Sequence, residues 1–442
     1  MEDFKIQSNL IGSIKKNISI MFFSNIFGRA LLLVANIILN RLLTAEVFGA
    51  YVYVFSLVQI IVVAPMLGLN EGLLKYIPRS LVNNDNEEAK SLATFSIIIT
   101  AIIGLLLTIV FFSSSGFISK VLFGSKYYVE IVQTFSLYLL VFSTMIVVLS
   151  VFQARRDINL FALGRNFIEP ILFLLVAICL FYVTKNNIVL VPVYAKLVAS
   201  FATLYIFISL LYKKKYLAKI KRMYLDTYKA LLKYSFPLFL NSTIAVIITR
   251  VNILIVGNYL SKTEIAVFNA AAQYALLGSF LLIAVNQVFM PVVSSLFFQK
   301  KMKELKNLYQ KITLLTTVLS VSLLVIVIFA KDFLMGLYGS NYIIGSNALI
   351  IIMVGQVFNS AVGPCGNMIT IMSSPKYAVY INIFLIILNI IIGNILTVRF
   401  GINGAAFSMS ISLFVASVIR VYILYKKHDI LPYTFKHKNK SY

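Results

Sequence analysis

Apolar residues fill this chain in long runs broken by short polar punctuation. Stretches suited to crossing a bilayer fall at 18–40, 48–68, 91–112, 129–152, 165–184, 188–211, 234–257, 265–290, 312–330, 347–371, 377–397 and 404–425. A helix needs roughly 20 predominantly apolar residues to span the hydrocarbon core, and each run is close to that length or longer. Between them lie breakers and charges such as Asn83-Asn84-Asp85-Asn86 and Ser373-Ser374-Pro375-Lys376, with no loop long enough for an extramembrane domain. The pattern predicts an all-α integral membrane protein with 12 transmembrane helices.

Composition excludes the soluble alternative. Of 442 residues, 60% are hydrophobic and 12% charged, against about 45–50% and about 25% in ordinary soluble domains. Residues 1–19 have no signal-peptide layout with a cleavage site, so the first span is expected to act as the insertion signal. Cys179 and Cys365 both lie in apolar stretches, which argues against a disulfide framework or a thiolate metal site. His428 and His437 sit in the C-terminal tail, so no histidine centre forms in the body, and no cofactor is expected.

The 39 Lys and Arg outnumber 15 Asp and Glu, a net charge of +24. In a soluble chain such an excess would suggest nucleic acid. Placement gives another reading. With a cytoplasmic N-terminus, 28 basic residues fall on the inner side and 7 on the outer, and the inner segment 212–233 alone holds Lys213, Lys214, Lys215, Lys219, Lys221, Arg222, Lys229 and Lys233. This bias places both termini in the cytoplasm. The charge then reflects topology and attraction to anionic membrane lipids, and no nucleic-acid partner is needed.

The chain also repeats itself. Leu211-Tyr212-Lys213-Lys214 recurs as Leu424-Tyr425-Lys426-Lys427, Gly124-Ser125-Lys126-Tyr127 as Gly339-Ser340-Asn341-Tyr342, and Thr44-Ala45-Glu46 as Lys262-Thr263-Glu264, at offsets of 213, 215 and 218. Three ordered matches at nearly one spacing predict two six-helix halves, 1–218 and 219–442. Six spans per half give both the same orientation, so a pseudo-two-fold along the membrane normal relates them. Parallel repeats of this kind occur in transporters that work by alternating access.

Ionisable residues inside spans are costly and face a cavity or a partner. Arg29 shares a sector of roughly 60° with Asn25, Asn36 and Asn40 at about 100° per residue, a stripe that suits either a water-filled interior or an interhelical seam. Arg250 is its counterpart in the seventh span, with Thr243 and Gly257 on its face and Asn258 nearby, while Asn241 and Asn252 point the other way. Lys196 suits the same interior or snorkelling outward, and Arg420 is close enough to the membrane edge to snorkel. Glu169, followed by Pro170, is the one carboxylate clearly approaching the interior; an interfacial position or pairing with Arg165 is expected ahead of proton coupling. Gln59, Gln273, Asn286 and Gln287 add amides that suit sugar hydroxyls and helix–helix contacts alike. A pore holding Arg29, Arg250 and Lys196 without matching carboxylates would attract anions, and guanidinium suits phosphate.

Arg41-Leu42-Leu43-Thr44-Ala45-Glu46-Val47-Phe48-Gly49-Ala50-Tyr51 resembles the stretch between the first two helices of the polysaccharide and oligosaccharide flippases of the multidrug/oligosaccharidyl-lipid/polysaccharide exporter superfamily, and Gly68-Leu69-Asn70-Glu71-Gly72 is similar as well. The resemblance covers nearly the whole chain. It implies two bundles in a V around a cavity that opens alternately to either side of the cell (cytoplasmic or inner) membrane. It also implies a polyprenyl-(di)phosphate-linked glycan as substrate, with glycan assembly proteins as further partners. The family's cationic cavity residues map onto Arg29, Arg250 and Lys196, with Arg41 at the outer mouth, and Asn25, Asn36, Gln59 and Gln273 complete the expected binding set. Rival classes are a multidrug antiporter, which needs buried carboxylates, and a membrane-embedded glycosyltransferase or polymerase, which needs a loop bearing catalytic acids or histidine. A peptidoglycan-precursor flippase shares the anionic head group.

Overall fold

A computed structural model describes residues 23–183 and 188–433. The N-terminal segment 1–22, Lys185 and the tail bearing His437 lie outside the described residues. Helices are α1 (Phe23–Leu42), α2 (Ala45–Ile61), α3 (Leu69–Val82), α4 (Asn86–Ser113), α5 (Ser115–Phe123), α6 (Val129–Ala154), α7 (Ile158–Leu163) and α8 (Glu169–Val183). They continue as α9 (Val191–Lys213), α10 (Leu225–Tyr259), α11 (Lys262–Ala275), α12 (Leu277–Phe298), α13 (Met302–Gly336), α14 (Ser346–Ala361), α15 (Cys365–Met372) and α16 (Pro375–His428). Helix starts follow the local sequence. Asp85 caps α4 by accepting from Glu88 N at 2.8 Å, with Glu87 and Glu88 in the first turn against the helix dipole.

Ten segments among the described residues are long and apolar enough to cross a membrane. The sequence pattern predicts twelve, and the difference has local causes. Residues 377–397 and 404–425 lie in two helical segments that meet at a kink at Gly401, whose non-helical φ of +58° and ψ of −138° favour glycine; with no loop between them they count as one stretch, α16. Segment 265–290 is divided at Leu276 between α11 and α12. The protein is a multi-pass membrane protein.

The chain packs as two compact units, Met1–Ala266 and Val267–Tyr442. In the first, α6 is the hub, with α3, α4 and α9 packed around it. Small residues allow that approach: a Cβ on Gly104 of α4 would meet the Leu140 Cα at 3.0 Å, and the Thr108 hydroxyl donates to the Ser136 carbonyl at 2.8 Å. Close backbones joined by hydroxyls are a usual solution where lipid removes the hydrophobic drive for helix association. The opposite face of α4 exposes Ile98, Ile102, Leu105, Leu106 and Ile109, as a lipid-facing surface should. The segment 212–224 and α10 also belong to this unit, which is why it reaches past residue 218. Lys214 and the Tyr216 hydroxyl both reach Asp157 Oδ2, at 3.0 and 2.7 Å, and the Tyr224 hydroxyl donates to Asp85 Oδ1 at 3.0 Å.

In the second unit α14 lies on α16, and α15 packs against α12 and α16. Phe289, Val293, Leu305, Tyr309, Met368 and Leu424 form its core. Gly355 permits the α14–α16 contact, since a Cβ there would lie 2.8 Å from Ser410 Cα.

Candidate functional site

The first unit gathers its membrane-embedded charges around an aromatic wall. Tyr51, Phe55 and Gln59 follow one another at i, i+4 spacing on α2 and so share a face. Tyr51 and Phe55 stack at 5.4 Å, Phe55 and Phe135 at 5.5 Å, and Tyr138 and Phe142 of α6 at 4.8 Å. Tyr51, Phe135 and Tyr138 are buried.

Lys196 of α9 and Glu169 of α8 meet beside this wall as an ion pair, Nζ to Oε1 at 2.5 Å, and both side chains are under 10% exposed. The ammonium also lies 4.9 Å from the Phe173 ring centroid. The sequence places Glu169 with Arg165 or at the interface; instead it is buried against Lys196. Arg165 lies within a π-type turn, Gly164–Ile168, which takes it out of ordinary α-helical phase with Glu169. Lys196 is thus electrically balanced.

Arg250 is not. On α10 it lies within electrostatic reach of the Tyr51 and Tyr138 phenols. Among the described residues it makes no ion pair, and its Nε is buried without an acceptor. Its helix is held against α2 by the Tyr53 hydroxyl, which donates to Asn258 Oδ1 at 2.6 Å, and by Gly257, where any Cβ would collide with the Tyr53 ring.

A second cationic locus lies at α1. Arg29 is exposed and within electrostatic range of Arg165, which makes no ion pair among the described residues. The Asn166 amide donates to Ser24 Oγ at 3.1 Å and to Asn25 Oδ1 at 3.2 Å, so Asn25 belongs to the seam joining α1 to the π turn. Asn36 is half-buried, and its carbonyl accepts from the Asn40 amide at 2.7 Å. Gln59 is half-buried on α2. Gln273 is half-buried on α11, in the second unit.

Arg420, expected to snorkel, instead hydrogen-bonds Asn359 Oδ1 at 3.2 Å inside the second unit. Arg41 is exposed in the last turn of α1. Sequence reasoning missed Arg165, Tyr51 and Tyr138 as members of the site. The i, i+4 relation of Arg165 to Glu169 masked the first, and nothing in an apolar run marks a particular tyrosine as an arginine's neighbour.

Comparison with known proteins decides the family. The polysaccharide biosynthesis protein model matches residues 14–297. The chain belongs to that family. The MatE family model matches residues 237–395. The chain is similar to the capsular polysaccharide biosynthesis protein CapF of Staphylococcus aureus, at 24% identity over 93% of this chain and 99% of that one. Its fold is similar to an inward-facing multidrug resistance MATE family transporter, with TM-score 0.77, 18% identity and coverage of 91% and 94% of the two chains. It is also similar to the lipid II flippase MurJ in an inward closed conformation, with TM-score 0.70, 16% identity and coverage of 91% and 87%. This member of the polysaccharide biosynthesis family carries in its first unit two guanidinium groups, Arg165 and Arg250, that make no ion pair among the described residues, and a lysine, Lys196, neutralised by Glu169.

Proposed function

We propose that this protein is a flippase that moves a polyprenyl-(di)phosphate-linked glycan from the cytoplasmic to the outer leaflet by alternating access. The observation that carries the reading is Arg250, a membrane-embedded guanidinium that no carboxylate balances among the described residues. Leaving such a charge unpaired is costly unless a ligand or water completes it. A phosphate fits, because the planar fork of N–H donors matches its oxygens and remains charged throughout the cycle. Arg29 and Arg165 add positive potential from α1 and the π turn, and Gln59 and Asn36 supply hydrogen-bonding groups for sugar hydroxyls. The isoprenoid tail stays in lipid.

Family membership and the likeness to CapF support a role in building surface polysaccharide. We place the chain in the cytoplasmic membrane with both termini inside and 12 crossings, as two six-helix halves, on the charge bias and repeats of its sequence. The MATE likeness keeps the antiporter as the second reading. That activity needs a carboxylate free to bind organic cations, and Glu169 is held by Lys196.

Export in cells lacking their own glycan flippase tests the proposal. Arg29→Ala and Arg250→Ala should each cut surface glycan tenfold or more at unchanged protein levels, with Lys a partial substitute. Unimpaired export in both Ala variants would reject it, and cation efflux by the purified protein would favour the antiporter.

A further inference from the structure

The second unit contains a polar cavity lined by none of the residues in the proposed substrate-binding set. Its volume is about 180 Å³, and its walls include Gly366, Asn367 and Thr370 of α15 and Asn382 and Arg420 of α16. One ordered water needs only a small fraction of that volume. The Arg420 guanidinium spends one N–H on Asn359 Oδ1, and among the described residues it has no carboxylate partner. A guanidinium has five N–H donors and no acceptor, so donors remain for the cavity. The Thr370 hydroxyl already donates to the Gly366 carbonyl at 3.1 Å. The added donors on the wall are therefore the side-chain amides of Asn367 and Asn382. Glycine at 366 lets the guanidinium lie close to α15, since a Cβ there would already be 3.5 Å from Nε.

An uncompensated cation, two amides and no acid form a recognition set for an oxyanion. We infer that this pocket is a second anion site, which takes a phosphoryl group within the second unit. The phosphoryl group is either free phosphate or the head of a membrane lipid; the chemistry at Arg420 is the same for both.

Cys365 provides a local reporter: it is fully buried, precedes Gly366 in sequence, and is the one thiol left in a Cys179→Ser background. In full-length protein of that background, a maleimide should modify Cys365 several-fold more slowly when the pocket is filled. Inorganic phosphate at about 10 mM, enough to occupy a millimolar site, is compared with chloride of equal ionic strength. In a parallel arm, phosphatidylcholine nanodiscs with and without phosphatidic acid present the lipid-borne group. Slowing by phosphate identifies a free ligand and slowing by phosphatidic acid alone a lipid one; either supports the site if Arg420→Gln removes it. Asn382→Leu, which fills the cavity and keeps the charge, should remove it too and covers the case in which Arg420→Gln does not fold. No slowing in either arm, or slowing that survives both substitutions, overturns the inference. Arg250→Gln should leave the effect intact, so the export proposal and this one can fail separately.

Discussion

Two embedded cations of the first unit sit beside the same aromatic wall and are solved in opposite ways. At the α8–α9 seam, Lys196 is closed by Glu169 at 2.5 Å, and both are buried. On α10, Arg250 lies within electrostatic reach of the phenols of Tyr51 and Tyr138, with a buried Nε and no ion pair among the described residues. The chemistry of the side chains suits this division. An ammonium is a compact, strongly hydrated charge that loses much when buried alone, whereas a guanidinium is weakly hydrated and stacks on aromatic faces. On the function proposed above, the paired site serves structure and the unpaired one a ligand, a division that sequence alone does not draw.

The sharpest way to break that contrast is Lys196→Met. Removing one member of a buried pair costs about 3–5 kcal/mol because the other charge is stranded. The thermal midpoint of the purified protein should fall markedly, and adding Glu169→Leu should restore most of it. A single variant as stable as the parent would mean that the pair is solvated.

Arg250→Ala should do the reverse. Its thermal midpoint is expected to hold while export falls tenfold or more, the scale of one charge-assisted hydrogen bond of about 1.5–3 kcal/mol. Parallel losses of stability in Arg250→Ala and Lys196→Met would erase the distinction between the two sites.

Gly257→Ala probes what holds Arg250 in place. A Cβ there collides with the Tyr53 ring, and overpacking costs about 1–3 kcal/mol. Both stability and export should drop, and Tyr53→Ala should recover part of the stability by clearing the space. If the single variant behaves as the parent, the α2–α10 contact is looser than described.

The smallest effect is expected at the exposed ion pair of the linker. Lys214→Ala should change stability by less than about 1 kcal/mol, with the difference shrinking in salt. The hydrogen bond to Asp157 raises the Lys214 pKa above its ordinary value. Its contribution is therefore fully present below the unfolded lysine value of about 10.4 and is lost as pH rises through the higher folded value. A pH titration of the thermal midpoint near neutrality should show no difference in slope between Lys214→Ala and the parent.

Much of the fold can be read in the sequence. Long apolar runs, capping residues such as Asp85, and the Ser374-Pro375 start of α16 all mark helices through local physics. The count differs where local physics is ambiguous. At Gly401 a kink, with no loop, lies between two runs that hydropathy also separates, so they count as one stretch, and Leu276 divides one that hydropathy joins. Candidate residues were legible as types. Arg29, Lys196 and Arg250 stand out in any apolar window, because charge within hydrocarbon is costly.

The sequence by itself determined that the chain is helical and membrane-embedded, that it is rich in cations, and that a few polar residues must be sheltered. Those properties are sums over residues or short windows, so they need no knowledge of neighbours in space. Only the tertiary structure decided that Glu169 closes on Lys196 instead of Arg165, that Asn25 is tied to Asn166, and that Arg420 turns inward to Asn359. Pairing inside a membrane depends on which helices touch and at what rotation. Small residues such as Gly104, Gly257 and Gly355 set those contacts, and their partners lie far away along the chain.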